Sequence, residues 1–153
     1  MSKIVIKLKF VLIFLLSVIF NGCSSDSNNS GSNSDVIKYE ITSTSPFQVI
    51  NSGTSALPSI TVGYTNETGQ QQQDQLLVGG TTWTKTVNLT TPQRPIQVVL
   101  SASGYTQSSN GTVTLKVYVN NVLRGTQNLS ISPNPIPNYG IFIGGNISGI
   151  LIQ

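Results

Sequence analysis

The side chains that most often carry out chemistry in proteins are scarce in this chain. It has no histidine and a single cysteine, Cys23, so the usual pairing of a nucleophile with an imidazole base cannot be assembled. Beyond residue 35 the carboxylates are Glu40, Glu67 and Asp74. A glycosidase-type pair needs two of them facing one another. Glu40 falls on an alternating segment, whereas Glu67 and Asp74 fall in a polar stretch, so solvated surface charge is the expectation. Zinc would need clustered Cys, His or acidic ligands, and none is present. Gly79-Gly80 and Gly144-Gly145 open no helix and are not followed by a lysine at phosphate-loop spacing. The expectation is a protein that is not an enzyme and has no cofactor and no metal. Recognition is left to aromatic residues. Trp83 and Tyr39 lie on apolar faces and are expected in the core, while Tyr118 points away from one and Tyr105 sits among Gly and Ser. Tyr105 and Tyr118 are therefore the candidate contacts, since tyrosine is favoured at interfaces.

Cys23 has its own context. Lys3, Lys7 and Lys9 precede Phe10 to Phe20, eleven residues interrupted only by Ser17, the charged and apolar regions of a secretory signal. The stretch is short for a membrane span, which takes about 20 apolar residues; an uncleaved anchor would require Ile4 to Phe20 to insert as a unit. Phe20-Asn21-Gly22-Cys23 then resembles a bacterial lipobox, in which a small residue precedes the cysteine. Phe20 and Asn21 depart from its commonest form. The resemblance implies that residues 1–22 are a lipoprotein signal peptide and that the Cys23 thiol receives a diacylglycerol, with fatty acids such as palmitate holding the protein to a membrane. A lone cysteine in an exported chain has no intrachain disulfide partner, and lipidation accounts for it. Two or more acyl chains, at about 0.8 kcal/mol per buried CH₂, make such attachment durable.

Ser24 to Asp35 contains no apolar side chain. Such a segment has nothing to bury against its ordering entropy, so residues 23–35 are expected to form the lipidated cysteine and a flexible tether, with a reach of about 20 Å by coil scaling. Asp26 and Asp35 are too sparse for an acidic surface-export signal, and Ser24 gives no inner-membrane retention signal. The expected location is the outer membrane, facing the periplasm, ahead of the cell surface.

The formal net charge of +3 invites a nucleic-acid reading, but three of the eight basic residues lie in the signal. From Cys23 onward five basic residues meet five acidic ones, and those of the domain, Lys38, Lys85, Arg94, Lys116 and Arg124, are dispersed. No nucleic-acid partner is expected.

Residues 36–153 must form the element that presents Tyr105 and Tyr118. Ile37, Tyr39 and Ile41 alternate with Lys38, Glu40 and Thr42; Ile60, Val62 and Tyr64 alternate with Thr61 and Gly63. Trp83, Lys85, Val87 and Leu89 share a face, as do Ile96, Val98, Leu100 and Ala102. Val113, Leu115, Val117 and Val119 oppose Thr114, Lys116 and Tyr118. This is the two-residue period of half-buried strands. Asn120-Asn121 predicts a tight hairpin. Turn-rich segments, among them Asn51 to Pro58, Asn66 to Gln75 with its glutamine run, and Gly104 to Gly111, separate the strands. Tyr139 to Gln153 is expected to hold two final core strands joined by a Gly-Gly-Asn turn. An all-β, antiparallel β-sandwich of about seven or eight strands is predicted.

Val36 to Thr42, Ile60 to Asn66 with Gly69, Trp83 to Val87, and Gly111 to Asn121 together resemble, in order and spacing, the soluble domain of the mycobacterial membrane protein small (MmpS) family, here carried on a Bacteroidota-like lipoprotein. The resemblance implies an immunoglobulin-like sandwich held at a membrane, with an accessory role beside large RND-type exporters. Leu115 stands where that family often has a cysteine, so its disulfide is absent. The expected function is a lipid-anchored protein-interaction or transporter-accessory module of the cell envelope. The alternative is a lipid-anchored module that binds a glycan or a small hydrophobic ligand.

Overall fold

The computed structural model describes residues 34–52, 55–77, 79–133 and 140–153. The lipobox, with Cys23, and most of the expected tether lie outside the described residues. Among the described residues there is no helix. The strands are β1 (Val36–Ser43), β2 (Ile50–Ser52), β3 (Ser55–Leu57), β4 (Ile60–Thr65), β5 (Gln71–Leu76), β6 (Thr82–Asn88), β7 (Ile96–Thr106), β8 (Thr112–Val119), β9 (Val122–Ser130), β10 (Ser132–Pro133) and β11 (Gly140–Ile152). They form a four-stranded sheet, β6-β1-β8-β9, and a five-stranded sheet, β10-β11-β7-β4-β5, with β2 and β3 as a separate hairpin. Every pairing is antiparallel. The expected sandwich is therefore present, and its strand number exceeds seven or eight because of the short β2, β3 and β10.

The alternation read from the sequence sets which side chains are enclosed. Ile37, Tyr39 and Ile41 of β1 and Val113, Leu115, Val117 and Val119 of β8 meet Ile60, Val62 and Tyr64 of β4, Val98, Leu100 and Ala102 of β7, and Phe142 and Ile147 of β11, all buried. Tyr39 and Tyr64 tilt against each other at 5.7 Å between ring centroids. The Tyr39 hydroxyl donates to the Thr65 carbonyl at 2.8 Å. Among the described residues, no buried side-chain polar atom lacks a partner, as a close-packed core requires. Asn120 and Asn121 both adopt left-handed φ, 51° and 65°, and turn β8 into β9 as predicted.

Three segments differ from expectation. Gln71 to Leu76, expected in a loop, is edge strand β5. Its register with β4 puts Leu76 opposite Ile60 and Asp74 opposite Val62, and an edge strand needs pairing on one side only, so glutamines are tolerated. Strand β7 runs on through Gly104 and Tyr105 to Thr106 instead of breaking into a loop. Gly104 serves close approach, since a Cβ there would collide with the Ser59 carbonyl and crowd Phe142. Gly140 to Ile152 is one strand paired with β7, not two, and its register shifts twice, between Phe142 and Gly145 and between Ile147 and Ile150. Gly144 and Gly149, at φ 78° and 86°, supply these bulges where a chain reversal was expected.

Candidate functional site

The two candidate tyrosines point from opposite outer faces of the sandwich. Tyr118 is paired with Lys38 across β8 and β1, and the Lys38 ammonium sits 5.3 Å from its ring centroid. Lys38 also reaches Glu40 at 3.1 Å, and Lys116 reaches the other Glu40 oxygen at 3.2 Å. Burial alone would raise the Glu40 pKa, but the hydrogen bonds from the two lysines outweigh it and hold the carboxyl below its ordinary value. The outer face of the four-stranded sheet is thus a charged cluster already satisfied within itself, with one face of Tyr118 occupied by a cation.

The outer face of the five-stranded sheet is different in kind. Tyr105 lies opposite Ile141 of β11. Thr61 stands between Gln75 and Ser103, and Gly63 between Gln73 and Ser101; Asn146 lies opposite Ser101. None of these residues carries a charge. Beside Tyr105 is a groove of about 370 Å³ lined by Pro58, Thr61, Ser103, Gly104, Tyr105, Ile141, Phe142 and Ile143. Ile143 is 71% exposed, because alternation with the buried Phe142 puts it on the outer face beside Ile141. The register shift between Phe142 and Gly145 leaves it outside the paired ladder. The result is a tyrosine flanked by two isoleucines, with the neutral hydroxyls of Thr61 and Ser103 beside it.

Tyr105, expected in a loop among Gly and Ser, stands instead on β7 opposite Ile141. The residue was visible, but its partners depend on the β7–β11 register. Trp83, expected in the core, is only half-buried and packs at 6.3 Å from Tyr64. The Lys85 ammonium stands 5.6 Å from the Tyr64 ring, at the open margin between β6 and β5.

The three carboxylates do not converge. Glu40 is held by Lys38 and Lys116 on one outer face. Glu67 is exposed between β4 and β5. Asp74 accepts from the Tyr64 hydroxyl at 2.8 Å. Burial and that bond push the Tyr64 pKa up to about 12. Asp35, the last residue of the expected tether, is fastened to the domain by Arg94 at 3.0 Å and Asn120 at 2.8 Å. Among the described residues no three His, Cys, Asp or Glu side chains gather as a metal site, and no helix is long and apolar enough to cross a membrane.

Comparison with protein-family models, with curated proteins and with solved structures returned no match.

Proposed function

We propose that this chain is a non-enzymatic, lipid-anchored module of the bacterial cell envelope that docks a partner protein on the outer face of the five-stranded sheet, around Tyr105. The observation that carries the proposal is the composition of that face: an aromatic and aliphatic centre depleted of charge, with a neutral polar rim. Interface centres have this make-up, with tyrosine enriched and charged side chains excluded. The anchor is Cys23, acylated after removal of the signal, and the domain works at the outer membrane on the periplasmic side. The MmpS-like order of motifs supports an immunoglobulin-like sandwich and points to an RND-type exporter or another envelope complex as the partner.

Affinity capture of the membrane-anchored chain tests the docking face. A specific envelope protein is expected to co-purify with the wild type and with Tyr118→Ala, and to be lost with Ile143→Lys or Tyr105→Ala. Capture that ignores Tyr105 and Ile143 would remove this face from the proposal.

A second reading has its own observation. Gln73, Gln75 and Asn146 lie on the same outer face as Tyr105, in the neighbouring rows through Ser101 and Ser103, and their amides are a chemistry suited to the hydroxyls of a neutral glycan. Binding of an uncharged polysaccharide that fails with Tyr105→Ala, and no protein capture, would favour it.

A further inference from the structure

An unpaired sheet edge is a template for pairing with another chain, and proteins normally blunt it with inward charges, bulges, proline or very short strands. Most edges here are blunted in that way. Strand β5 turns Asp74 inward onto Tyr64, and β6 turns Lys85 inward onto the same ring. Strand β11 carries two glycine bulges, and β10 is two residues long and ends in Pro133. Strand β9 is the exception. Its one irregularity, between Val117 and Tyr118 in the pairing with β8, lies near the hairpin. From Gly125 to Ser130 its register is unbroken, and the sequence Gly-Thr-Gln-Asn-Leu-Ser has no charge and no proline.

This bare edge is also rigid. A Cβ on Gly125 would fall 2.6 Å from Ile147, so the β9 backbone rests directly on the β11 side chains. The Asn146 backbone N–H donates to Gln127 Oε1 at 2.7 Å, tying β9 to the opposite sheet from within. A strand held on its inner side and free along its edge is preorganised to accept another strand at little ordering cost.

We infer that β9 pairs antiparallel with β9 of a second copy of this chain, joining two four-stranded sheets into one continuous sheet. The edge is self-complementary. With the two-fold axis at Gln127, Thr126 of each copy falls opposite Asn128 of the other. That repeats the cross-strand pair already made inside the sheet, where the Thr114 hydroxyl donates to Asn128 Oδ1 at 2.8 Å. The Asn128 amide remains able to donate to a threonine hydroxyl of the second copy. Such an isologous contact closes on itself and stops at a dimer.

The test uses the full chain in membranes of the producing cell. A Gln127→Cys variant places the new thiols across the axis, where the Cα separation of an antiparallel pair suits a disulfide. Mild oxidation is expected to give a disulfide-linked dimer well above that of Thr84→Cys on β6 or of the parent with Cys23 alone. Adding Thr126→Lys and Asn128→Lys sets like charges opposite each other twice and is expected to lower the yield about tenfold. Co-production with a Gln127→Cys chain carrying Thr126→Glu and Asn128→Glu is expected to restore it as a mixed dimer. Gln127→Cys yields no higher than those of Thr84→Cys, or a lysine variant that the glutamate chain does not rescue, would overturn the inference.

Discussion

Glu40 and Tyr64 show how single residues in this domain are set by their neighbours, and each makes a pH prediction. Glu40 is held below its ordinary pKa by Lys38 and Lys116. A lowered carboxyl pKa contributes stability that is present above the ordinary value, about 4.3, and is lost as pH falls through the lowered one. Thermal unfolding of Glu40→Gln is therefore expected to lie below wild type at neutral pH, with the gap closing in acid. A gap that stays constant with pH would show that the lysines do not stabilise the ionised form. Tyr64 has the opposite sign. Its raised pKa contributes stability present below about pH 10 and lost as pH climbs through about 12. Tyr64→Phe is expected to reduce the alkaline loss of stability, measured as the slope of the unfolding free energy against pH. Of the candidate contacts, Tyr118 and Tyr105 were both legible as tyrosines off the core. Only the structure distinguishes them, because the occupation of Tyr118 by Lys38 depends on the pairing of β1 with β8.

At the scale of elements, strands with strict alternation were readable and those shaped by glycine were not. Strands β1, β4 and β8 each bury every second side chain against the opposite sheet, so the period of two is written in the residue types. In β7 and β11 the glycines suggested turns, yet Gly104 permits close contact with Ser59 and Phe142, and Gly144 and Gly149 form bulges. A single sequence does not separate these uses, since all of them need a missing side chain. Strand β5 was hidden for another reason: its glutamines have no strand preference, and it is ordered by pairing with β4. Two substitutions check this account of Gly104. Gly104→Ala forces a Cβ into the Ser59 carbonyl and is expected to cost about 1–3 kcal/mol, as overpacking does. Gly79→Ala has nothing within 4 Å of the added atom and is expected to be near neutral. Chemical denaturation of both variants measures the difference, and equal effects would mean that β7 does not depend on that contact.

For the whole molecule the charge distribution carries the functional reading. Three of the eight basic residues, Lys3, Lys7 and Lys9, precede the apolar stretch from Phe10 to Phe20, and within the domain Lys38, Glu40 and Lys116 cluster on one outer face. The opposite outer face is left without charge around Tyr105, Ile141 and Ile143. A two-sided domain of this kind suits a tethered protein that presents one face to a partner. The tether itself is tested through its cysteine: Cys23→Ser is expected to abolish acylation, read by mass, and to release the chain from the membrane fraction. An unchanged mass and unchanged partitioning would argue for the uncleaved anchor. The central claim, docking at Tyr105, is tested most directly by placing a photoreactive residue at Ile143 in the membrane-anchored chain. A discrete cross-linked partner is expected there, absent when the same residue is placed at Thr84 and lost when Tyr105→Ala is added; equal labelling at Ile143 and Thr84, or labelling indifferent to Tyr105, would contradict it.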